Sequence, residues 1–337
     1  MSLRSTLVAL SLLAATPALA DEPLKVVASF SILGDMVANV GGDRIALTTL
    51  VGPDGDAHVF QPSPRDAKAV AAADLVIVNG LGFEGWMERL AESAGYDGQV
   101  AVASTGVTPR KMDEGEEHEE HAGEDHDHDH DGEEMHADDD HEHDGEEHEE
   151  HAEAEHGHHH HGDIDPHAWQ SIGNAVIYVD NITAALIAAD PADAAVYRAN
   201  ADAYKAKLTA LDAKVKGAIA ALPPERRKII TSHDAFGYFA DAYGLEVLAP
   251  QGVSTESEAS AKGVAELIEQ IKAAKAPAVF LENVTDPRLI KQIADETGAR
   301  IGGTLYSDAL SDASGPASTY IAMFEHNLAA LAEALGS

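Results

Sequence analysis

Nineteen histidines, 59 acidic residues and no cysteine define the chemistry open to this chain. Without thiols there are no disulfides and no thiolate sites, so any metal must be held by imidazole and carboxylate. Fifteen of the histidines and 24 of the acids lie between Asp113 and Gly162, a stretch with no Lys or Arg. Such a tract has too little apolar surface to pack a core. It is expected as a solvated loop that contacts metal weakly and non-specifically. Four histidines lie outside it, His58, His167, His233 and His326. His58 follows Gly52-Pro-Asp-Gly-Asp-Ala57. His167 stands in Asp163-Ile-Asp-Pro-His167-Ala-Trp169, where ordered-looking sequence resumes after the tract, and His233 stands in Ile230-Thr-Ser-His233-Asp. A carboxylate in a comparable setting is Asp308, in Thr304-Leu-Tyr-Ser-Asp308.

Positioning these four groups is the task of the elements before them. From Lys25 to Ser104 short β-rich runs alternate with helical spacing: strands at 26–30, 45–51, 75–78 and 100–103, helices at 32–40, from Ser63-Pro64, and at 85–94. Ser63 as cap, Pro64 at the first helical position and Asp66 in the first turn mark a helix start. After the tract come a long helical run at 172–189 and another from Asp190-Pro191 to about Leu222. Strands at 228–231, 245–248, 278–281 and 301–305 then alternate with helices at 236–243, 262–275, 287–296 and 316–335. Two four-step β-α series predict an α/β protein of two lobes with parallel sheets. The expected division is a leader at 1–20, a first lobe at 21–172 carrying the 113–162 loop, a linking helix at 173–190 and a second lobe at 191–337.

His58, His167, His233 and Asp308 each follow a strand, two per lobe, and ligands in open α/β sheets bind beyond the carboxyl ends of strands. The four are therefore expected to converge in the cleft between lobes. Three imidazoles and one carboxylate suit tetrahedral Zn²⁺, whereas an oxygen-richer set favours manganese. Imidazole binds metal only when neutral, so affinity is expected to fall below about pH 6.5. Glu256, Glu258 and Glu282 rank below Asp308 as ligands, with Glu256 or Glu258 as an outer partner. Phe83 and Trp169 are assigned to core or cleft wall, His326 to a structural role on the last helix. Gly80-Leu-Gly82-Phe-Glu-Gly85 matches a dinucleotide fingerprint but falls on the third β-α unit, so the glycines are assigned to a tight turn.

The formal net charge is −37. Without the tract, 35 acids stand against 22 bases, a balance of −13. Nucleic acid is an unsuitable partner, since phosphate binding needs clustered Lys and Arg. Arg4, the apolar run 7–15 and Ala18-Leu19-Ala20 form a secretory signal with cleavage near Ala20, and no cysteine follows for lipidation. No later segment is expected to cross a membrane, which leaves a soluble periplasmic chain.

Four segments carry a family resemblance: Ala57-His58-Val-Phe-Gln-Pro-Ser-Pro-Arg-Asp66, Asn79-Gly-Leu-Gly-Phe-Glu-Gly-Trp86, Asp165-Pro-His167-Ala-Trp169 and Thr231-Ser-His233-Asp-Ala-Phe-Gly-Tyr238. Together they resemble the cluster A-I solute-binding proteins of zinc and manganese ABC importers, in which ZnuA is the zinc member. The resemblance spans the mature chain. It implies two α/β lobes bridged by one rigid helix, metal between them, and ligands matching His58, His167, His233 and Asp308. Manganese members typically carry Glu at the third position, so His233 points to zinc. Some zinc members use a Glu beside the first His, but Ala57 stands there, which strengthens Asp308. A His-rich acidic insertion before the second ligand is also typical of the zinc branch.

The expectation is a periplasmic, monomeric, non-enzymatic Zn²⁺ carrier that docks on a membrane permease, with a periplasmic metallochaperone as a second candidate partner. The alternatives are a manganese carrier, a zinc buffer without a transporter, and a metallohydrolase. The last lacks H-E-x-x-H and would need an open coordination position.

Overall fold

The computed structural model describes residues 22–111 and 164–336, apart from 258 and 275. The leader, Glu258 and the whole His/Asp/Glu tract at 113–162 lie outside the described residues. Two four-stranded sheets form the frame. In the first, β1 (Leu24–Phe30), β2 (Ile45–Val51), β3 (Leu75–Val78) and β4 (Gln99–Val102) lie in the order β2-β1-β3-β4, every pairing parallel. In the second, β5 (Lys228–Ile230), β6 (Glu246–Leu248), β7 (Ala278–Glu282) and β8 (Arg300–Leu305) repeat that order as β6-β5-β7-β8, again parallel. Central strands of a parallel sheet are covered on both faces and read as continuous apolar runs. Leu75-Val-Ile-Val78 is buried at all four positions, and Val26 to Phe30 at all five.

The helices are α1 (Ser31–Gly41), α2 (Pro64–Ala71), α3 (Met87–Ala94), α4 (Ile172–Ala189), α5 (Ala194–Ala220), α6 (Gly237–Tyr243), α7 (Ala261–Ala274), α8 (Pro287–Thr297) and α9 (Tyr320–Leu335). The start of α2 is as the sequence predicts: Pro64 opens it and the Asp66 carboxylate accepts the Ser63 N–H at 2.7 Å. The last helix begins at Tyr320, not Pro316. Ser311 holds Ala317 through both backbone and side chain, which keeps 311–317 as a loop, and Thr319 caps the helix by accepting from Ala322 N–H. The run from Pro191 opens as a 3-10 turn through Asp193, with Asp190 accepting from Ala192, before α5 proper.

The expected linking helix, α4, packs on α1, β3 and β4 of the first lobe and along α5. At the start of α4 the Ile172 N–H donates to Tyr243 Oη of α6 at 3.2 Å, and α5 also touches both lobes: Asn200 donates to the Val40 carbonyl at 2.9 Å in the first, and the helix packs on α6 and α9 of the second. By length and composition α4 is apolar enough to cross a membrane, contrary to expectation. Ile172, Val179, Ile182 and Leu186 on it are nevertheless fully or almost fully buried within the protein core.

Candidate metal centre

The loops that leave the sheets at their carboxyl ends meet between the lobes, as parallel sheets direct. His58 follows β2, His167 follows β4, His233 follows β5 and Asp308 follows β8. Each offers one ligand atom, and these atoms lie within 4.8 Å of one another. All three imidazoles bring Nε2 toward Asp308 or toward each other. His58 Nε2 is 3.3 Å from His167 Nε2 and 3.3 Å from Asp308 Oδ2. His233 Nε2 is 3.0 Å from Asp308 Oδ2, and His167 Nε2 is 3.5 Å from Asp308 Oδ1. Ligands about 2.0–2.1 Å from a tetrahedral ion are separated by roughly 3.3 Å from one another. The spacing observed fits a single small cation.

The remaining strand ends hold these groups in place. Asp165 Oδ1 lies 2.8 Å from His167 Nδ1 and also accepts the His167 N–H at 2.9 Å. Glu282, the last residue of β7, accepts the Ser232 and His233 N–H groups through Oε1 at 2.6 and 3.0 Å. Its Oε2 lies 2.7 Å from His233 Nδ1, in an orientation too bent for a linear hydrogen bond. Carboxylates behind metal-facing imidazoles fix the proton on Nδ1 and leave the Nε2 lone pair for the ion. Asn79, just past β3, donates to the Pro166 carbonyl at 3.0 Å. Trp169 Nε1 and Gln170 Nε2 both donate to the Ser307 carbonyl, at 2.9 and 2.6 Å, tying the loop that carries Asp308 to the loop that carries His167. Asp54 N–H donates to the Leu310 carbonyl at 2.8 Å, and Leu310 N–H donates to Ser31 Oγ at 2.9 Å, so the Asp308 loop is clamped by the first lobe on both sides.

Of the acids ranked below Asp308, Glu256 lines a cavity next to the site and Glu258 lies outside the described residues, while Glu282, which was not expected as an outer partner, takes the contact with His233. Nothing local marks Glu282, which is 49 residues from His233 in sequence. Asp165, two residues before His167, was not singled out from the sequence. Phe83 and Trp169 form the wall, as assigned: Phe83 stands edge-on to His58 at 4.8 Å and Trp169 lies 5.2 Å from His167. The glycine motif is a tight turn, with φ of +85° at Gly80, +55° at Leu81 and +80° at Gly82, so consecutive residues occupy the left-handed region. His326 Nε2 donates to the Thr304 carbonyl of β8 at 3.0 Å, away from the site.

Burial disfavours charge on His167, yet the Asp308 and Asp165 carboxylates outweigh it and raise its pKa to about 9. His233 is likewise pushed well up against the cost of burial by Glu282 and Asp308. Asp308, also opposed by burial, is held well below the ordinary carboxylate range by these two histidines. The pH window for metal uptake expected from free imidazole therefore moves upward, because an incoming cation must displace protons bound more tightly than normal. His167, His233 and Asp308 are fully buried, while His58 is 8% exposed. His58 lines a cavity of about 590 Å³ together with Phe60, Trp86, Ile164, Pro166 and Glu256. The site thus faces solvent from the His58 side, and the chain returns from the acidic tract at Ile164 on the rim of that cavity.

Two parallel four-stranded sheets with a buried nitrogen- and oxygen-donor cluster between them fit the class of metal-binding solute carriers. The chain belongs to the family described as ZnuA, zinc-uptake complex component A, periplasmic, which it matches over residues 26–334. Among its relatives, the iron-binding protein YfeA of Yersinia pestis is 33% identical over 98% of this chain and 94% of that protein. The manganese-binding lipoprotein MntA of Bacillus subtilis is 32% identical over 94% of this chain and 91% of its own length. The periplasmic zinc-binding protein TroA of Treponema pallidum superposes with a TM-score of 0.75 at 29% identity, covering 93% of this chain and 99% of that one. The chain is a metal-binding, substrate-binding component of an ABC importer.

Proposed function

We propose that this protein captures Zn²⁺ in the periplasm through His58, His167, His233 and Asp308 and delivers it to the permease of an ABC importer. The observation that carries the reading is the donor set: three Nε2 atoms and one carboxylate within 4.8 Å. Spacing alone does not choose among divalent ions, and the relatives are named for iron, manganese and zinc. Donor chemistry supports zinc, since imidazole-rich sets favour zinc over manganese. One carboxylate ligand against a dication leaves the four-ligand set about +1, and the Asp165 and Glu282 carboxylates behind the histidines offset that charge. A leader ending near Ala20 would place the mature chain in the periplasm. The His/acid tract, by composition, would gather zinc at low affinity near the cavity rim.

The test is a competition titration of the metal-free mature chain at limiting protein. One Zn²⁺ bound tightly and not displaced by a tenfold excess of Mn²⁺ is the expected result. Preferential retention of Mn²⁺ or Fe²⁺ would overturn the zinc assignment and favour the manganese-carrier alternative.

A further inference from the structure

Arg110, which is no candidate ligand, is the charged group that joins the most parts of this site. Its backbone is fixed to the second-ligand loop: Asp165 N–H donates to the Arg110 carbonyl at 2.9 Å, and next to it Lys111 and Ile164 form an antiparallel bridge. Its side chain reaches two ways. Nη1 lies 3.5 Å from Asp165 Oδ2, the oxygen opposite the one that holds His167. Nε donates to Asp241 Oδ2 at 3.2 Å, and the Arg110 N–H donates to Tyr238 Oη at 2.8 Å. Asp241 and Tyr238 belong to α6, which begins four residues after His233.

The packing leaves no slack between these parts. A Cβ on Gly237, the first residue of α6, would fall 2.5 Å from both Cζ and Nη1 of Arg110 and 2.6 Å from Asp165 Oδ2. Real Cβ atoms do not approach that closely, so any side chain there must push the guanidinium and the carboxylate aside. One contiguous path therefore runs from His167 through Asp165, Arg110 and Gly237 to the helix that follows His233. It links a ligand of the first lobe to a ligand of the second.

We propose that Arg110 is a positioning residue for metal retention: it holds Asp165 against His167, couples that ligand to α6, and so sets how fast the bound cation leaves. The proposal rests on the metal-site reading above. A purely structural ion pair with Asp241, whose side chain is 68% exposed, would contribute little. Outer partners of metal-bound histidines typically change affinity about 10–100-fold when lost, mostly through the dissociation rate.

The experiment measures Zn²⁺ dissociation into excess chelator, and the visible absorption of the Co²⁺-loaded protein, for the full mature chain and for R110M, R110K, G237A and D241N. R110M and G237A are each expected to speed dissociation about 10–100-fold and to change the Co²⁺ band. Their double variant should be no faster than the faster single one, because both break one path. R110K should recover part of the loss, and D241N should speed dissociation less than R110M. Wild-type dissociation and an unchanged Co²⁺ band in R110M and G237A would overturn the role of Arg110 while leaving the metal site standing. If R110M does not fold, a wild-type rate in both G237A and D241N overturns the coupling to α6. Failure of the unmodified protein to take up either ion would instead remove the metal-site reading, and this inference with it.

Discussion

Glu282 Oε2 lies 2.7 Å from His233 Nδ1, at the end of a strand adjacent to the one that His233 follows. The same carboxylate closes the His233 turn by accepting two backbone N–H groups. Removing its charge should weaken metal binding without removing a ligand. Glu282→Gln keeps the two backbone acceptor bonds through its carbonyl and loses the anion behind the imidazole. The expected outcome is a Kd raised about 10–100-fold, read by competition with a chromophoric chelator. An unchanged Kd would show that His233 needs no carboxylate behind it.

Protons and metal compete for the same nitrogens, and the sign of that competition follows from the shifts. His167, with a folded pKa of about 9 against 6.5 unfolded, stabilises the metal-free protein fully below about pH 6.5. That contribution is lost as pH rises through about 9. His233 is raised in the same direction. Metal occupies the place of these protons, so the gain in melting temperature on adding saturating Zn²⁺ should grow between pH 6.5 and 9. Calorimetry at pH 7.5 in buffers of different ionisation enthalpy should show proton release on binding. A binding enthalpy independent of buffer would contradict the protonation assigned to the pair.

Asp308 is the single anion of the proposed set and the counter-charge for two buried histidines. Replacing it by Asn leaves each histidine with only the carboxylate behind it, Asp165 for His167 and Glu282 for His233, so both should hold their protons less tightly and the metal-free protein should lose part of its extra stability below pH 6.5. Asp308→Asn is expected to remove tight binding altogether and to weaken the pH dependence of the melting temperature of the metal-free form between pH 6.5 and 9. A wild-type pH profile in this variant would show that Asp308 does not help to hold those protons in the metal-free state.

The ends of the acidic tract meet. Lys111 and Ile164 form an antiparallel bridge and Asp165 N–H donates to the Arg110 carbonyl, so the excursion is pinched off before it reaches His167. Replacing residues 112–163 by Asn-Gly should therefore leave the second ligand in place, since such a turn suits a two-residue hairpin connection. Equilibrium titration should show the tight site retained and weaker zinc binding lost. Loss of the tight site would mean that the tract itself contributes a ligand.

Much of this arrangement was legible because it is local or periodic. The mostly apolar runs at 26–30 and 75–78 announce central parallel strands, and the four ligand candidates stand out because each follows a strand. Glu282 was named only among the acids ranked below Asp308, and Arg110 and Gly237 were not singled out, because their partners are brought to them by strand order and helix packing. The start of α9 was misplaced because Pro316 suits a first helical turn, while the contacts between Ser311 and Ala317 that prevent one come from the loop before it. The contacts of α5 with both lobes were hidden for a related reason: nothing in its spacing says that it meets α9 as well as α1.

The third ligand position offers a direct test of donor chemistry. A Glu at 233 would supply an oxygen-richer set, two imidazoles and two carboxylates, which suits manganese better than zinc. The buried Glu282 carboxylate, however, would then stand behind another carboxylate instead of an imidazole, and two like charges at that distance do not both ionise without penalty. His233→Glu alone should therefore bind either metal poorly. His233→Glu combined with Glu282→Gln, which removes the opposing charge and keeps acceptor bonds for the 232 and 233 N–H groups, should regain binding with the preference shifted toward Mn²⁺. Parallel Zn²⁺ and Mn²⁺ titrations of the two variants decide it. Equal behaviour of the single and double variants would show that Glu282 does not control the charge at this position.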